Sequence, residues 1–200
     1  LYFSERNQLD SLQINLSNEE SIQLKGRIDR LDLYEEADKM MVKVIDYKSG
    51  NTSFDLQSVY YGLQIQLAVY MNATMELMGR EHPAKEIIPA GIFYYNIDDP
   101  FVEKGEQVEE SILRELKMNG IVNSNAEVIK RLDKTFVSAD GNGIRSAVKS
   151  DIIPVETNKD GQLTKRSSIA EYSQFKAMEG FVKNSVRDMG QRILDGNTDI

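Results

Sequence analysis

Apolar and polar residues alternate along two neighbouring segments in the first quarter of the chain. Segments 21–34 and 40–48 carry apolar side chains at about every second position, which is the spacing of half-buried β-strands. The polar run 35–39 lies between them and predicts a turn. The pattern therefore predicts a β-hairpin, in which residues equally distant from the centre of the turn face each other.

A long amphipathic helix and a buried strand are predicted after the hairpin. Apolar residues recur at steps of three and four across 55–79, and Gly79 marks the end of this helix. The run 90–97 is almost continuously apolar, which is typical of a strand covered on both faces. A strand, a helix and a second strand form a crossover, so we expect parallel pairing between the strand that ends near Lys48 and the strand that ends near Ile97.

The second half of the chain predicts three further helices. Segments 106–119 and 125–134 have helical spacing of their apolar residues. Ser168 followed by Glu171 predicts a capping box that opens a last helix over 169–195. Strands and helices thus alternate along the chain, which favours an α/β fold with a mixed central sheet flanked by helices.

The segment 138–168 differs from its surroundings because it is rich in Gly, Asn, Asp and Ser. This composition predicts a flexible insertion, or a short hairpin that turns at Asp160 and Gly161. The chain has 200 residues, of which 40% are apolar, and we expect a single domain over 1–200. The first residue is not Met and the chain ends soon after a helical pattern, so we expect a piece of a longer chain.

Composition and charge exclude several classes of site. The chain has no Cys, which excludes disulfides, thiolate zinc sites and iron–sulfur ligation within this span. The 24 Lys and Arg residues against 32 Asp and Glu residues give a net charge of −8, which argues against indiscriminate nucleic-acid binding. No apolar run reaches the roughly 18 residues of a membrane span, and no export signal is visible. We therefore expect a cytoplasmic location and no membrane partner.

The predicted hairpin brings charged residues together at one end of its apolar face. Its register places Asp29 opposite Asp46 and Arg27 opposite Lys48. Two carboxylates so close repel each other unless a cation neutralises them, and oxygen ligands favour Mg²⁺ or Mn²⁺. Lys48 shares the face of Asp46, so the Asp-x-Lys strand end matches phosphodiester hydrolysis. The alternative is that Asp29 forms surface ion pairs with Arg27 or Lys48 and that no metal binds.

Three motifs in order carry a resemblance to a known family. They are Gly26-Arg27-Ile28-Asp29-Arg30, then Val44-Ile45-Asp46-Tyr47-Lys48-Ser49-Gly50, then Gln66-Leu67 with Tyr70. Together they resemble the RecB-type branch of the PD-(D/E)XK nucleases, which have a restriction-endonuclease-like α/β fold. The sequences YYGLQIQLAVY and GIFYYNIDDPF are most similar to those of nuclease domains at the C-terminus of bacterial helicase–nuclease subunits.

The resemblance implies one Mg²⁺-dependent nuclease site, in which Mn²⁺ can substitute. The metal ligands would be Asp29, Asp46 and the backbone carbonyl of Tyr47. The catalytic set would comprise Asp29, Asp46, Lys48, Gln66 and Tyr70. Gln66 and Tyr70 lie four residues apart on one helix face, so both can point at the strand ends. Without the resemblance, the residues alone favour the other interpretation, in which Tyr70 is a core residue and Gln66 a flanking residue.

The resemblance also has implications beyond these residues. The family supplies a further His or Glu ligand upstream, for which Glu5, Glu19 and Glu20 are the candidates here. Longer members hold a 4Fe-4S cluster with cysteines that lie outside this span. The implied partners are DNA, in single-stranded form at the site, and a helicase–nuclease A subunit, in the repair of double-strand breaks. The alternatives are a non-catalytic DNA-holding module and another RecB-type exonuclease, Cas4-like or phage-type.

Overall fold

The computed structural model describes residues 12–17, 20–50, 52–97 and 116–197. The strands are β1 (Leu12–Asn15), β2 (Ser21–Leu24), β3 (Arg30–Glu35), β4 (Lys39–Lys48), β5 (Glu86–Asn96), β6 (Asn119–Asn123) and β7 (Ile169–Ala170). The helices are α1 (Leu56–Tyr60), α2 (Gln66–Glu81), α3 (Ala126–Leu132) and α4 (Tyr172–Leu194), with a 3₁₀ turn over Lys134–Phe136. None of these described helices is both long enough and apolar enough to cross a membrane.

Five of the strands form one mixed sheet in the order β3-β4-β5-β6-β7. The pairs β3-β4 and β5-β6 are antiparallel, whereas β4-β5 and β6-β7 are parallel. Helices α2 and α4 pack against each other and against this sheet, and α3 packs against β5 and β6. The predicted α/β fold with a mixed central sheet and flanking helices is therefore confirmed.

The predicted hairpin register is confirmed over β3 and β4, where Leu31 pairs with Val44. The prediction of one continuous strand over 21–34 is wrong, because β2 pairs with β1 in a separate two-stranded sheet. The β3-β4 ladder ends at Arg30. Beyond it, a carboxylate oxygen of Asp29 accepts the backbone N–H of Tyr47 at 3.0 Å. A side chain thus replaces the backbone acceptor, and regular pairing stops there.

The prediction of a single helix over 55–79 is also wrong. Helix α1 ends at Tyr60 because Gly62 adopts a φ of +78°, a conformation that glycine allows without strain. The N–H of Leu63 then donates to the carbonyl of Ser58 at 2.8 Å, which closes the turn. The apolar spacing continues across this break, so spacing alone does not reveal it.

The expected parallel pairing of β4 with β5 is confirmed, and Lys48 pairs with Asn96. Strand β5 begins at Glu86 rather than at position 90. The register shifts between Val42 and Lys43, opposite Pro89. Proline lacks the N–H that a ladder needs, so a bulge is required before pairing resumes. The strand begins with a charged residue and contains Pro89 at the bulge, so the apolar pattern alone did not predict its first four residues.

The helices of the second half are shorter than predicted. Positions 106–115 of the predicted helix 106–119 lie outside the described residues, and Asn119 already belongs to β6. Helix α3 lies within 125–134 as expected. The capping box of α4 uses Glu171 and Gln174 rather than Ser168, because Ile169–Ala170 pair with β6 as β7. The last helix therefore begins three residues later.

The segment 138–168 forms turns held by isolated bridges. Thr157 pairs with Leu163 in an antiparallel bridge around Gly161, whose φ is +76°, so the predicted turn is present. Ile153 and Val155 are buried in a hydrophobic cluster with residues of β4, β5 and β6. The flexibility of this segment stays a prediction.

Glycine at position 120 is required by close backbone packing. A Cβ at Gly120 would lie 1.9 Å from the carbonyl oxygen of Ile92, within the β5-β6 pair. We predict that Gly120→Ala lowers the free energy of unfolding by about 3 kcal/mol, because the strands must separate. The control is Gly79→Ala in α2, where a Cβ meets no atom within 4 Å. There we expect no loss or a gain of up to about 1 kcal/mol. Chemical denaturation measures both, and equal losses would contradict the argument.

Candidate active site

Two charged residues interrupt an otherwise apolar face of β4 at its C-terminal end. Val42 and Val44 lie in the hydrophobic cluster beneath α2, and the two-residue period places Asp46 and Lys48 on the same face. Asp46 is buried, with only 3% of its surface exposed, whereas the side chain of Lys48 keeps 30% exposed. A charged carboxylate is therefore held at the rim of the apolar core.

The second carboxylate lies one residue before the start of β3. Because Arg30 pairs with Ile45, continuing this register places Asp29 beside Asp46 on the neighbouring strand. Asp29 is half-buried, and its contact with the N–H of Tyr47 orients it toward the end of β4. The expected pairing of Arg27 with Lys48 is not part of the β3-β4 ladder, and Arg27 is exposed.

A chain of polar contacts links β4 to the start of α2. The Nζ of Lys48 lies 2.7 Å from Oδ2 of Asp46 and donates to Oε1 of Gln66 at 3.0 Å. The Nε2 of Gln66 in turn donates to the hydroxyl of Tyr70 at 3.0 Å. The amine also lies 5.2 Å from the ring centroid of Tyr94. Lys48 is therefore fixed on three sides, by a carboxylate, an amide oxygen and an aromatic face.

Tyr70 serves both packing and hydrogen bonding. It packs at the edge of the core cluster beneath α2, and a Cβ at Gly26 would lie 2.9 Å from its ring. Its hydroxyl accepts the Gln66 bond described above. Tyr70 thus packs at the edge of the core and bonds to Gln66, and its part in the site stays a prediction. Gly26, the first residue of the first motif, leaves space for the Tyr70 ring because it has no Cβ.

The buried carboxylate of Asp46 has one charged neighbour. Its Oδ2 lies 2.7 Å from the Nζ of Lys48, and no other donor among the described residues reaches this oxygen. That contact raises the pKa of the Lys48 amine, while desolvation acts in the opposite direction. Lys48 is therefore an ammonium at neutral pH, and Asp46 keeps an oxygen that can accept a further partner.

These residues fit a hard divalent cation. A buried carboxylate oxygen, a second carboxylate and a backbone carbonyl at Tyr47 are the oxygen donors that Mg²⁺ and Mn²⁺ prefer. Among the described residues, no group of three His, Cys, Asp or Glu side chains forms a metal cluster. Mg²⁺ needs few protein ligands because it keeps several waters. An iron–sulfur cluster does not fit this span, because the span has no Cys.

The candidates for an additional upstream ligand are not brought to the site. Glu20 is exposed in the turn between β1 and β2, where its backbone N–H donates to Ser17. Glu5 and Glu19 lie outside the described residues. Sequence reasoning did not assign Tyr94 to the surroundings of Lys48. The folded structure brings Tyr94 there, because the parallel register of β4 and β5 pairs Asp46 with Tyr94.

Comparison with known proteins gives a consistent picture. A sequence profile of the PD-(D/E)XK nuclease superfamily matches residues 3–146. The B subunit of the ATP-dependent helicase/deoxyribonuclease of Lachnoclostridium phytofermentans is 50% identical over 175 residues, which are 88% of this chain and 15% of that protein. The protein of the same name from Thermoanaerobacter sp. is 39% identical over 203 residues, 99% of this chain and 17% of that protein.

A third relative has the same name. This protein, from Clostridioides difficile, is 35% identical over 199 residues, which cover 97% of this chain and 16% of that protein. The chain thus spans between 15% and 17% of the length of these relatives, which are AddB proteins. The profile match covers most of the chain and includes every predicted site residue from Asp29 to Tyr70. The chain therefore belongs to the PD-(D/E)XK nuclease superfamily.

Proposed function

We propose that this domain hydrolyses phosphodiester bonds in DNA with the help of a divalent cation. The observation that carries the proposal is the buried Oδ2 of Asp46, whose one close partner among the described residues is the amine of Lys48 at 2.7 Å. A carboxylate oxygen can accept more than one partner, so this buried oxygen keeps an acceptor position open. An acceptor left open beside a fixed ammonium is suited to bind a cation and a phosphate together.

In this proposal each residue has a distinct task. Asp29, Asp46 and the Tyr47 carbonyl hold Mg²⁺, for which Mn²⁺ can substitute. When bound, the cation lowers the pKa of a water and offsets negative charge on the phosphoryl group. The ammonium of Lys48 stabilises the charge that develops on the phosphate oxygens. Gln66 is a positioning residue, since its amide oxygen holds Lys48 and its amide nitrogen holds the Tyr70 hydroxyl.

We place the activity in a larger assembly. The relatives are named as helicase/deoxyribonuclease subunits and are about six times as long as this chain. We propose that residues 1–200 are the nuclease domain of such a bacterial, cytoplasmic subunit. It would act with an AddA-like partner, and it would cut DNA, as a single strand, during repair of double-strand breaks. A 4Fe-4S cluster would belong to parts of the longer chain that supply cysteines.

Removal of the buried carboxylate charge tests the metal site. We expect Asp46→Asn, made in the full-length chain with its partner subunit, to lower the cleavage rate of single-stranded DNA at least about hundredfold, because the cation loses a charged ligand. Titration with Mn²⁺, followed by electron paramagnetic resonance, is expected to show loss of one bound ion. DNA binding without metal is expected to persist.

The matched control is Asp38→Asn in the exposed turn between β3 and β4, which should retain both cleavage and Mn²⁺ binding. Wild-type cleavage by Asp46→Asn would refute the proposed site. Circular dichroism shows whether Asp46→Asn still folds. If it does not fold, the milder Asp46→Glu variant replaces it, because that variant keeps the charge and is expected to retain Mn²⁺ binding.

The contact between α2 and Lys48 generates a second prediction. We expect Gln66→Leu to lower kcat about tenfold with little change in KM, because the lysine loses its amide acceptor and its fixed position. Tyr70→Phe should have a smaller effect in the same direction, since it removes the hydroxyl that orients Gln66. Steady-state kinetics separate the two parameters. The control is Gln57→Leu on the exposed side of α1, and an equal loss of kcat there would contradict the assignment.

A further inference from the structure

The pleat of β4 places Tyr47 on the opposite face of the sheet from its neighbours Asp46 and Lys48. On that face, at the same end of the sheet, lies a groove of about 520 Å³. This volume is within the range of about 300–1,000 Å³ typical of small-molecule sites. The lining includes Tyr95, Arg30 and apolar side chains such as Ile152. The groove and the candidate active site therefore share one strand end.

Two aromatic rings form the wall of the groove nearest this strand end. Tyr47 and Tyr95 are direct partners in the parallel β4-β5 ladder. Their ring centroids are 5.9 Å apart at 86°, an edge-to-face arrangement that fixes both rings. Tyr47 keeps 38% of its surface exposed, although it sits beside buried residues of the core. A rigid and partly exposed aromatic surface is what single-stranded nucleic acids use for base stacking.

Cations lie beside these rings. Arg30 donates two hydrogen bonds to Asp32, at 2.8 and 3.0 Å, and its side chain remains 43% exposed. Lys43 contacts the same carboxylate at 2.8 Å. One carboxylate thus faces two cations, and the exposed guanidinium of Arg30 also lies beside the Tyr47 side chain. Asp151 also lines the groove, and its carboxylate can accept the exocyclic amino group of a base.

We propose that this groove is a nucleobase subsite for the substrate strand. A base stacks on the Tyr47–Tyr95 pair while the adjoining phosphate contacts Arg30, and the strand then crosses the end of β4 to the catalytic face. The proposal rests on the proposed nuclease function. Because the rings and the catalytic face lie on opposite sides of one strand end, the stacked base and the bond that is cut belong to different nucleotides of the same strand.

The test uses the full-length chain in its helicase–nuclease complex and single-stranded oligonucleotides. We expect Tyr95→Leu to raise KM about tenfold and to change kcat by less than about twofold, because stacking contributes to binding. Tyr95→Phe keeps the ring and is expected to remain near wild type. Tyr34→Ala is the matched control, since Tyr34 lies on the same face and is exposed, at 40%.

A second measurement locates the base. A series of oligonucleotides, each with one abasic site, is bound to the complex in EDTA and followed by fluorescence anisotropy. We expect one position to weaken binding to the wild type about tenfold and to have no further effect on Tyr47→Ala, because the ring and the base form one contact. Binding in EDTA does not depend on cleavage, so the subsite is tested separately from the proposed function.

The outcomes are distinct. The subsite would be overturned if every abasic site weakened binding equally in the wild type and in Tyr47→Ala. It would also be overturned if Tyr95→Leu lowered kcat and left KM unchanged. A similar KM increase in Tyr34→Ala would also overturn it. Coupling between Tyr47 and one abasic position in a complex that does not cut DNA with Mg²⁺ or Mn²⁺ would overturn the proposed nuclease function and support the subsite. If Tyr47→Ala fails to fold, the same coupling measured with Tyr95→Leu decides.

Discussion

The rest of the site depends on one contact, the 2.7 Å approach of the Lys48 amine to the buried carboxylate of Asp46. Burial of an ionised carboxylate costs free energy unless opposite charge and hydrogen bonds compensate it. Here the compensation at Oδ2 of Asp46 comes from the Lys48 amine alone among the described residues. This oxygen therefore keeps room for a further partner.

The mixed sheet provides the rigidity that this contact needs. Strand β4 lies between an antiparallel and a parallel neighbour, and β3 pairs with it as far as Ile45 while β5 pairs with it as far as Lys48. Beyond the last β3-β4 pair, Asp29 replaces a backbone acceptor with its own carboxylate. The break in the ladder that made the predicted first strand discontinuous is therefore the same feature that brings the second carboxylate to the strand end.

The two faces of β4 have different properties because consecutive side chains point in opposite directions. Asp46 and Lys48 lie on the face that packs against α2, from which Gln66 contacts the amine and Tyr70 holds Gln66. Tyr47 lies on the other face, where its ring meets Tyr95. Three consecutive residues thus supply a carboxylate, an aromatic ring and an ammonium at one strand end.

The sequence alone determined the hairpin register, the parallel crossover and the grouping of Asp29, Asp46 and Lys48, because these follow from the two-residue period and from chain connectivity. It did not reveal the break at Gly62, the bulge opposite Pro89 or the short strand β7. Those depend on backbone dihedral angles and on pairing with distant strands, which local spacing does not encode. The link from Lys48 through Gln66 to Tyr70, the ring of Tyr94 near the amine and the open oxygen of Asp46 were likewise decided by tertiary packing. Each joins elements separated in sequence, and only the distances between those elements in the folded chain determine which polar atoms meet.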